Sequence, residues 1–221
     1  METRMCNPEF KLVDLFPIPT RPHTPMELAL AEGGLKQLRP IRVFNSDANL
    51  IDAILEDGDR ADEARGAVED ALRTCAAYKQ WQRSMPYLKD VPEISHYRKN
   101  RSQNLLAVNV QILSTGGYLD AGQVLYRGGT FMSEQIVTRE PTSTSMNPSV
   151  ARWHALEVGG QIAVLKIVRS RSIRGFAYRI SGNQKLKHEY EVLLQSGLRL
   201  EQTSARHVSG LSVGSYEVTT L

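Results

Sequence analysis

The glycine pair Gly116-Gly117 divides the chain into two kinds of hydrophobic pattern, and the order of those patterns limits the folds open to it. Before the pair, apolar residues recur three and four apart, the period of a helix with one buried face. Ser46 or Asp47 can cap a helix through Leu50, Ile51, Ile54 and Leu55 that ends near Gly58. A second helix carries Ala64, Ala67, Val68, Ala71, Leu72, Cys75 and Tyr78, which puts Cys75 in the core; Pro86 interrupts that run. A third carries Leu105, Leu106, Val108, Ile112 and Leu113 and stops at the glycine pair. Beyond it the pattern shortens to strands at 123–126, 160–168, 175–180, 190–194 and 212–219, with one helix at 148–157. Helices first and strands second predict an α+β fold with an antiparallel or mixed sheet.

Residues 1–45 read as a Pro-rich N-terminal arm. Pro17, Pro19, Pro22 and Pro25 interrupt regular elements there, while Leu12, Val13, Leu15 and Phe16 can dock onto a body. Residues 46–221 read as a single catalytic domain, with a helical first half at 46–117 and a β-rich second half at 118–221. A chain of 221 residues, 41% hydrophobic and 23% charged, has the composition of a globular protein, and its net charge of +3 demands no polyanionic partner. Two cysteines, Cys6 and Cys75, make no disulfide framework, and five scattered histidines make no metal site. The sequence carries neither an apolar run of membrane length nor the apolar core of a secretory signal.

Three motifs carry chemistry. Leu125-Tyr126-Arg127-Gly128-Gly129 is a strand ending in an arginine, which can grip a phosphate, and in glycines that let a ligand approach the backbone. Pro141-Thr142-Ser143-Thr144-Ser145 clusters hydroxyls ahead of a helix; Ser145 or Asn147 as the cap before Pro148 explains one hydroxyl but not three. Glu189-Tyr190-Glu191 spaces two carboxylates by two, so that on a strand both project to one face.

Taken in order, these motifs resemble the Arg/Ser/Glu class of mono-ADP-ribosyltransferases, which includes bacterial toxins and effectors and the Alt/Mod-type enzymes of phages. The resemblance covers roughly residues 100–221. It implies two packed small β-sheets around an NAD cleft, with helices on the N-terminal side. It further implies that Arg127 holds the diphosphate or ribose of NAD and that Gly128 presents backbone to the nicotinamide amide. Ser143 would brace the ribose and the catalytic Glu191, with Thr144 and Ser145 shaping the strand and its turn. Trp153 is the nearest match to the aromatic that stacks on nicotinamide, although core packing explains it equally well. In that class a glutamate at the position of Glu189 goes with arginine acceptors. A guanidinium is no nucleophile while protonated, and Glu189 can take its proton.

The implied reaction uses NAD as co-substrate, without a metal, and transfers ADP-ribose to a target protein that presents an arginine. The implied protein is a monomer with no membrane partner, acting in the cytoplasm of a target or host cell after delivery by a phage or by a signal-independent secretion route. An RNA-associated or ribosomal target is a lesser alternative. Rival readings are an NAD glycohydrolase using the same site and a non-catalytic RNA- or protein-binding module. For the latter, Arg174-Gly175-Phe176-Ala177-Tyr178 resembles the opening of an aromatic RNA-binding strand, although a partner strand is missing.

Overall fold

A computed structural model describes residues 8–56, 58–99, 104–131, 134–179 and 190–221. The elements follow in chain order as β1 (Glu9–Phe10), β2 (Ile18–Pro19), α1 (Pro25–Glu32), β3 (Val43–Phe44), α2 (Asp47–Leu55), α3 (Asp59–Thr74), α4 (Ala76–Ser84), α5 (Pro92–Arg98) and α6 (Leu105–Thr115). After the glycine pair come β4 (Gly117–Leu119), β5 (Val124–Gly129), β6 (Gln135–Val137), β7 (Thr142–Ser145), α7 (Pro148–Val158), β8 (Gln161–Ile167), β9 (Arg174–Ala177), β10 (Glu191–Leu194), β11 (Leu198–Val208) and β12 (Leu211–Thr220). The fold is α+β, as the order of patterns predicts.

Among the described residues ten strands join in the order β1-β4-β9-β10-β7-β5-β8-β12-β11-β6, antiparallel except where β1 meets β4 and β8 meets β12. The expected pair of small sheets is present as two leaves of this one system. They meet between β7 and β5, where Tyr126 opposite Ser145 is the single registered pair among the described residues.

The arm is bound into the body. Phe10 stacks on Trp81 with centroids 4.6 Å apart, the Trp81 indole donates to the Lys11 carbonyl at 2.8 Å, and Val13 N donates to Gln123 Oε1 at 2.9 Å. Val13 is buried, Leu15 and Phe16 pack against the main core, and Leu12 remains exposed. Within the arm Pro25 opens a helix rather than preventing one. It occupies the first turn, where the missing N–H has no intrahelical partner to lose, and Thr24 with Glu27 closes a capping box.

α2 is buried on two sides. Leu50, Ala53 and Ile54 face the main core, whereas Ile51 and Leu55 join Tyr126, Ala151, Ala155 and Ile162 in a second cluster beneath α7. The helix expected to run from Ala64 through Tyr78 is broken at Cys75, whose ψ of 115° ends α3 and begins α4. Cys75 is therefore a half-buried hinge packed against the core rather than a member of it. The break turns Tyr78 and Trp81 inward, and no glycine or proline marks it, because aromatic packing overrides the local pattern.

Seven strands went unanticipated by periodicity: the short β1, β2, β3, β4 and β6, and with them β7 and β11. β7 consists of hydroxyl residues, and β11 has only Leu198 and Leu200 buried; β11 is held along its length by pairing with β12 through the Ser209-Gly210 turn, where both residues have positive φ. The glycine pair stops α6 by close approach rather than by a left-handed φ. A Cβ on Gly116 would collide with the Ile112 and Gly175 carbonyls, and one on Gly117 with the Phe10 ring. Replacing Phe10 by Ala empties the joint between arm, α4 and β4. We expect a loss of about 3–5 kcal/mol in a urea melt, with the arm becoming the preferred site of limited proteolysis.

Candidate active site

Where the two leaves part, β5, β7, β10 and the start of α7 surround a cleft of about 510 Å³, within the range of small-molecule sites. Its lining includes Tyr97, Arg98, Arg127, Ser143, Trp153 and Glu191. Gly128 sets its width. A Cβ there would collide with the Ala151 carbonyl, the Ala155 amide and the His154 Cβ, so the glycine lets α7 lie directly on β5. Asn147 caps α7 by accepting from Ser149 N at 2.9 Å, with Pro148 in the first turn, as the cap reading of the sequence expects.

The hydroxyls of β7 have separate partners. Ser143 Oγ donates to Glu191 Oε1 at 2.5 Å, Thr144 Oγ1 donates to the Val192 carbonyl at 2.6 Å, and Ser145 Oγ accepts from Asn147 N at 2.9 Å. Ser143 thus meets the carboxylate, Thr144 pins the neighbouring strand, and Ser145 shapes the turn into α7. In the antiparallel register Ser145 lies directly opposite Glu191, with Ser143 one step along the diagonal. Arg127 reaches across the opening, its Nη1 donating to the Ser143 carbonyl at 2.6 Å. Burial lowers its pKa from the usual guanidinium value, and the nearby Tyr97 phenol opposes that shift.

Strand β10 begins at Glu191. Tyr190 before it has φ of 44°, outside the strand region, and Glu189 lies outside the described residues together with the loop at 181–187. The expectation that the two acids share one face falls outside the described residues; at Tyr190 the left-handed backbone turns the chain, and its ring packs 5.9 Å from that of Tyr78. Glu191 is bracketed from its other side by Arg98, whose Nε lies 3.6 Å from Oε2. Sequence reasoning missed Arg98. It sits in α5, a helix too short to show periodicity, and its only local signals are Pro92 at the helix start and basic residues in the last turn. The adjacent Tyr97 hydroxyl donates to the Pro141 carbonyl at 3.2 Å, and burial raises its pKa.

Trp153 is 54% exposed and lines the cleft, so core packing does not account for it. Phe176 and Tyr178 are both buried, so the stretch that resembles an RNA-binding strand offers no stacking platform. Among the described residues no cluster of His, Cys, Asp and Glu could hold a metal, and no helix is long and apolar enough to cross a membrane. The arrangement suits an anionic ligand held by Arg127, with the Glu191 carboxylate placed to stabilise developing positive charge.

No protein-family model matches the chain, and no curated protein does. Among solved structures, the chain is similar to the ADP-ribosyltransferase Vis in complex with agmatine, with 17% identity over 76% of this chain and 90% of that one and a TM-score of 0.47. It is similar to the Vis toxin of Vibrio splendidus, at 16% identity over 78% and 74% of the two chains, with a TM-score of 0.37. For an ADP-ribosyltransferase of Clostridium botulinum the identity is 10% over 68% and 94%, with a TM-score of 0.42. These structures are ADP-ribosyltransferases, the class that the sequence motifs resemble.

Replacing Gly128 by Val forces α7 away from β5. We expect about 1–3 kcal/mol of destabilisation from overpacking, read as a lowered midpoint in thermal unfolding.

Proposed function

We propose that the chain is a mono-ADP-ribosyltransferase that moves ADP-ribose from NAD to an arginine of a target protein and releases nicotinamide. The observation that carries this reading is the 2.5 Å contact of Ser143 with Glu191 in a cleft that also holds Arg127. NAD supplies the ADP-ribosyl group as co-substrate. Arg127 holds its diphosphate or ribose by charge, and the exposed face of Trp153 offers a stacking surface for nicotinamide. Gly128 leaves backbone accessible to the amide. Positive charge grows on the ribose as the bond to nicotinamide breaks, and a fixed carboxylate stabilises it where it is largest. Glu191, oriented by Ser143, has that role.

Glu189 activates the acceptor: it orients the target guanidinium and accepts the proton lost as nitrogen bonds to the ribose carbon. The partner is accordingly a protein with an accessible arginine, modified in the cell where the enzyme acts.

The test is incubation with NAD labelled in its adenylate, together with a cell lysate or with agmatine as a small guanidine acceptor. Labelled protein should appear with the wild type and fall by about a hundredfold or more with Glu191→Ala. Free ADP-ribose without labelled protein or agmatine would assign the site to hydrolysis, and absence of both products would overturn the enzyme reading. Glu189→Gln should abolish transfer to arginine while retaining NAD cleavage; equal loss of both refutes the divided roles. Arg127→Ala should weaken NAD binding by about tenfold or more, consistent with the ~1.5–3 kcal/mol of a hydrogen bond to a charged group, and unchanged affinity by calorimetry would remove Arg127 from that role.

A further inference from the structure

We propose that Arg98 is a positioning residue for Glu191, fixing the plane of the carboxylate and holding it ionised from the side opposite Ser143. The inference rests on the reading of Glu191 as the catalytic acid, but its first test does not depend on activity. At 3.6 Å, Arg98 Nε is too far from Oε2 for a good hydrogen bond and within ion-pair range. The two side chains are only 16% and 15% exposed, so their attraction is poorly screened by solvent.

Arg98 is held where it is by a platform attached to the strand it acts on. Its guanidinium carbon lies 4.4 Å above the centre of the Tyr178 ring. Tyr178 N donates to the Glu191 carbonyl at 3.2 Å, and the Tyr178 carbonyl accepts from Gln82 Nε2 of α4 at 3.0 Å. The backbone that carries the carboxylate thus also carries the ring that seats its counter-charge. Ser143 constrains one carboxylate oxygen from β7 while Arg98 attracts the other from α5, so rotation about the last side-chain bond is opposed at both ends.

Among the described residues, other titratable groups facing Glu191 are Tyr97 on α5 and Tyr78 on α4, both shifted upward chiefly by burial and so neutral near neutral pH. Arg127 faces the same space from β5, next to Tyr97. Arg98 is the cation in direct ion-pair range of the carboxylate among the described residues.

The first measurement is a ¹³C NMR titration of glutamate side-chain carboxyls, with the Glu191 signal assigned by its absence in Glu191→Gln. In Arg98→Met, which keeps an unbranched side chain and removes the charge, the Glu191 midpoint should rise by about one pH unit or more, as expected on losing an opposite charge at this range. Arg98→Lys should restore most of the shift. Arg98→Gln, a second neutral variant, should reproduce it if the Met variant folds poorly. An unchanged midpoint in a folded neutral variant overturns the proposal. The second measurement is NAD cleavage against pH: kcat in Arg98→Met should fall about tenfold with KM within about twofold, and the acidic limb should move with the titration. A raised KM with unchanged kcat would make Arg98 a substrate-binding group instead and would also overturn the proposal. If the wild type cleaves no NAD, the proposed function fails, while the titration still decides the role of Arg98.

Discussion

The parting of β5 from β7 is the constraint on which the rest of the site depends. These central strands share one registered pair, Tyr126 with Ser145, and beyond it they diverge. Divergence leaves a gap in the middle of a sheet, where backbone groups must find other partners. Arg127 spans part of it to the Ser143 carbonyl, and the first turns of α7 close another part by resting on Gly128. The cleft is therefore a consequence of the sheet's geometry, and the side chains that line it are those the two strands present at the opening.

The helices hold that geometry open. α2 is packed on both sides, with the main core against one and the cluster beneath α7 against the other, so it fixes α7 relative to β5. The Tyr126 hydroxyl bonds Asp47 in the first turn of α2, which ties the junction of the leaves to the same helix. Burial raises the Asp47 pKa against the lowering by that hydrogen bond, a sign that the carboxyl is held in place at an electrostatic cost. On the other side of the sheet the arm adds β1 and seals Phe10 against Trp81. The tilted aromatic contacts of Trp81 with Tyr78 and of Tyr78 with Tyr190 then lead back to the residue just before Glu191.

Legibility followed burial. α2 and α7 were readable because a cap and an apolar run coincide: Ser46 and Asn147 each accept from a backbone N–H in the first turn. β8 and β12 were readable because they are buried and apolar. β7 was not, since a strand of Thr and Ser is polar by composition and is placed by its neighbours β5 and β10. The break at Cys75 left no local trace, because a backbone turn driven by packing distant aromatics needs no glycine or proline.

By itself the sequence determined the class of fold, the three motifs and the spacing of their hydroxyls and acids, because these depend on local periodicity and residue chemistry. Only the tertiary structure decided which hydroxyl meets which group, giving Glu191 to Ser143, Val192 to Thr144 and the α7 turn to Ser145. It also decided that Tyr190 turns the chain before the strand begins, and that Arg98, 93 residues earlier than Glu191 in the chain, stands beside the carboxylate. Those outcomes depend on register between strands and on charges brought together across the fold, and no spacing along the chain encodes either.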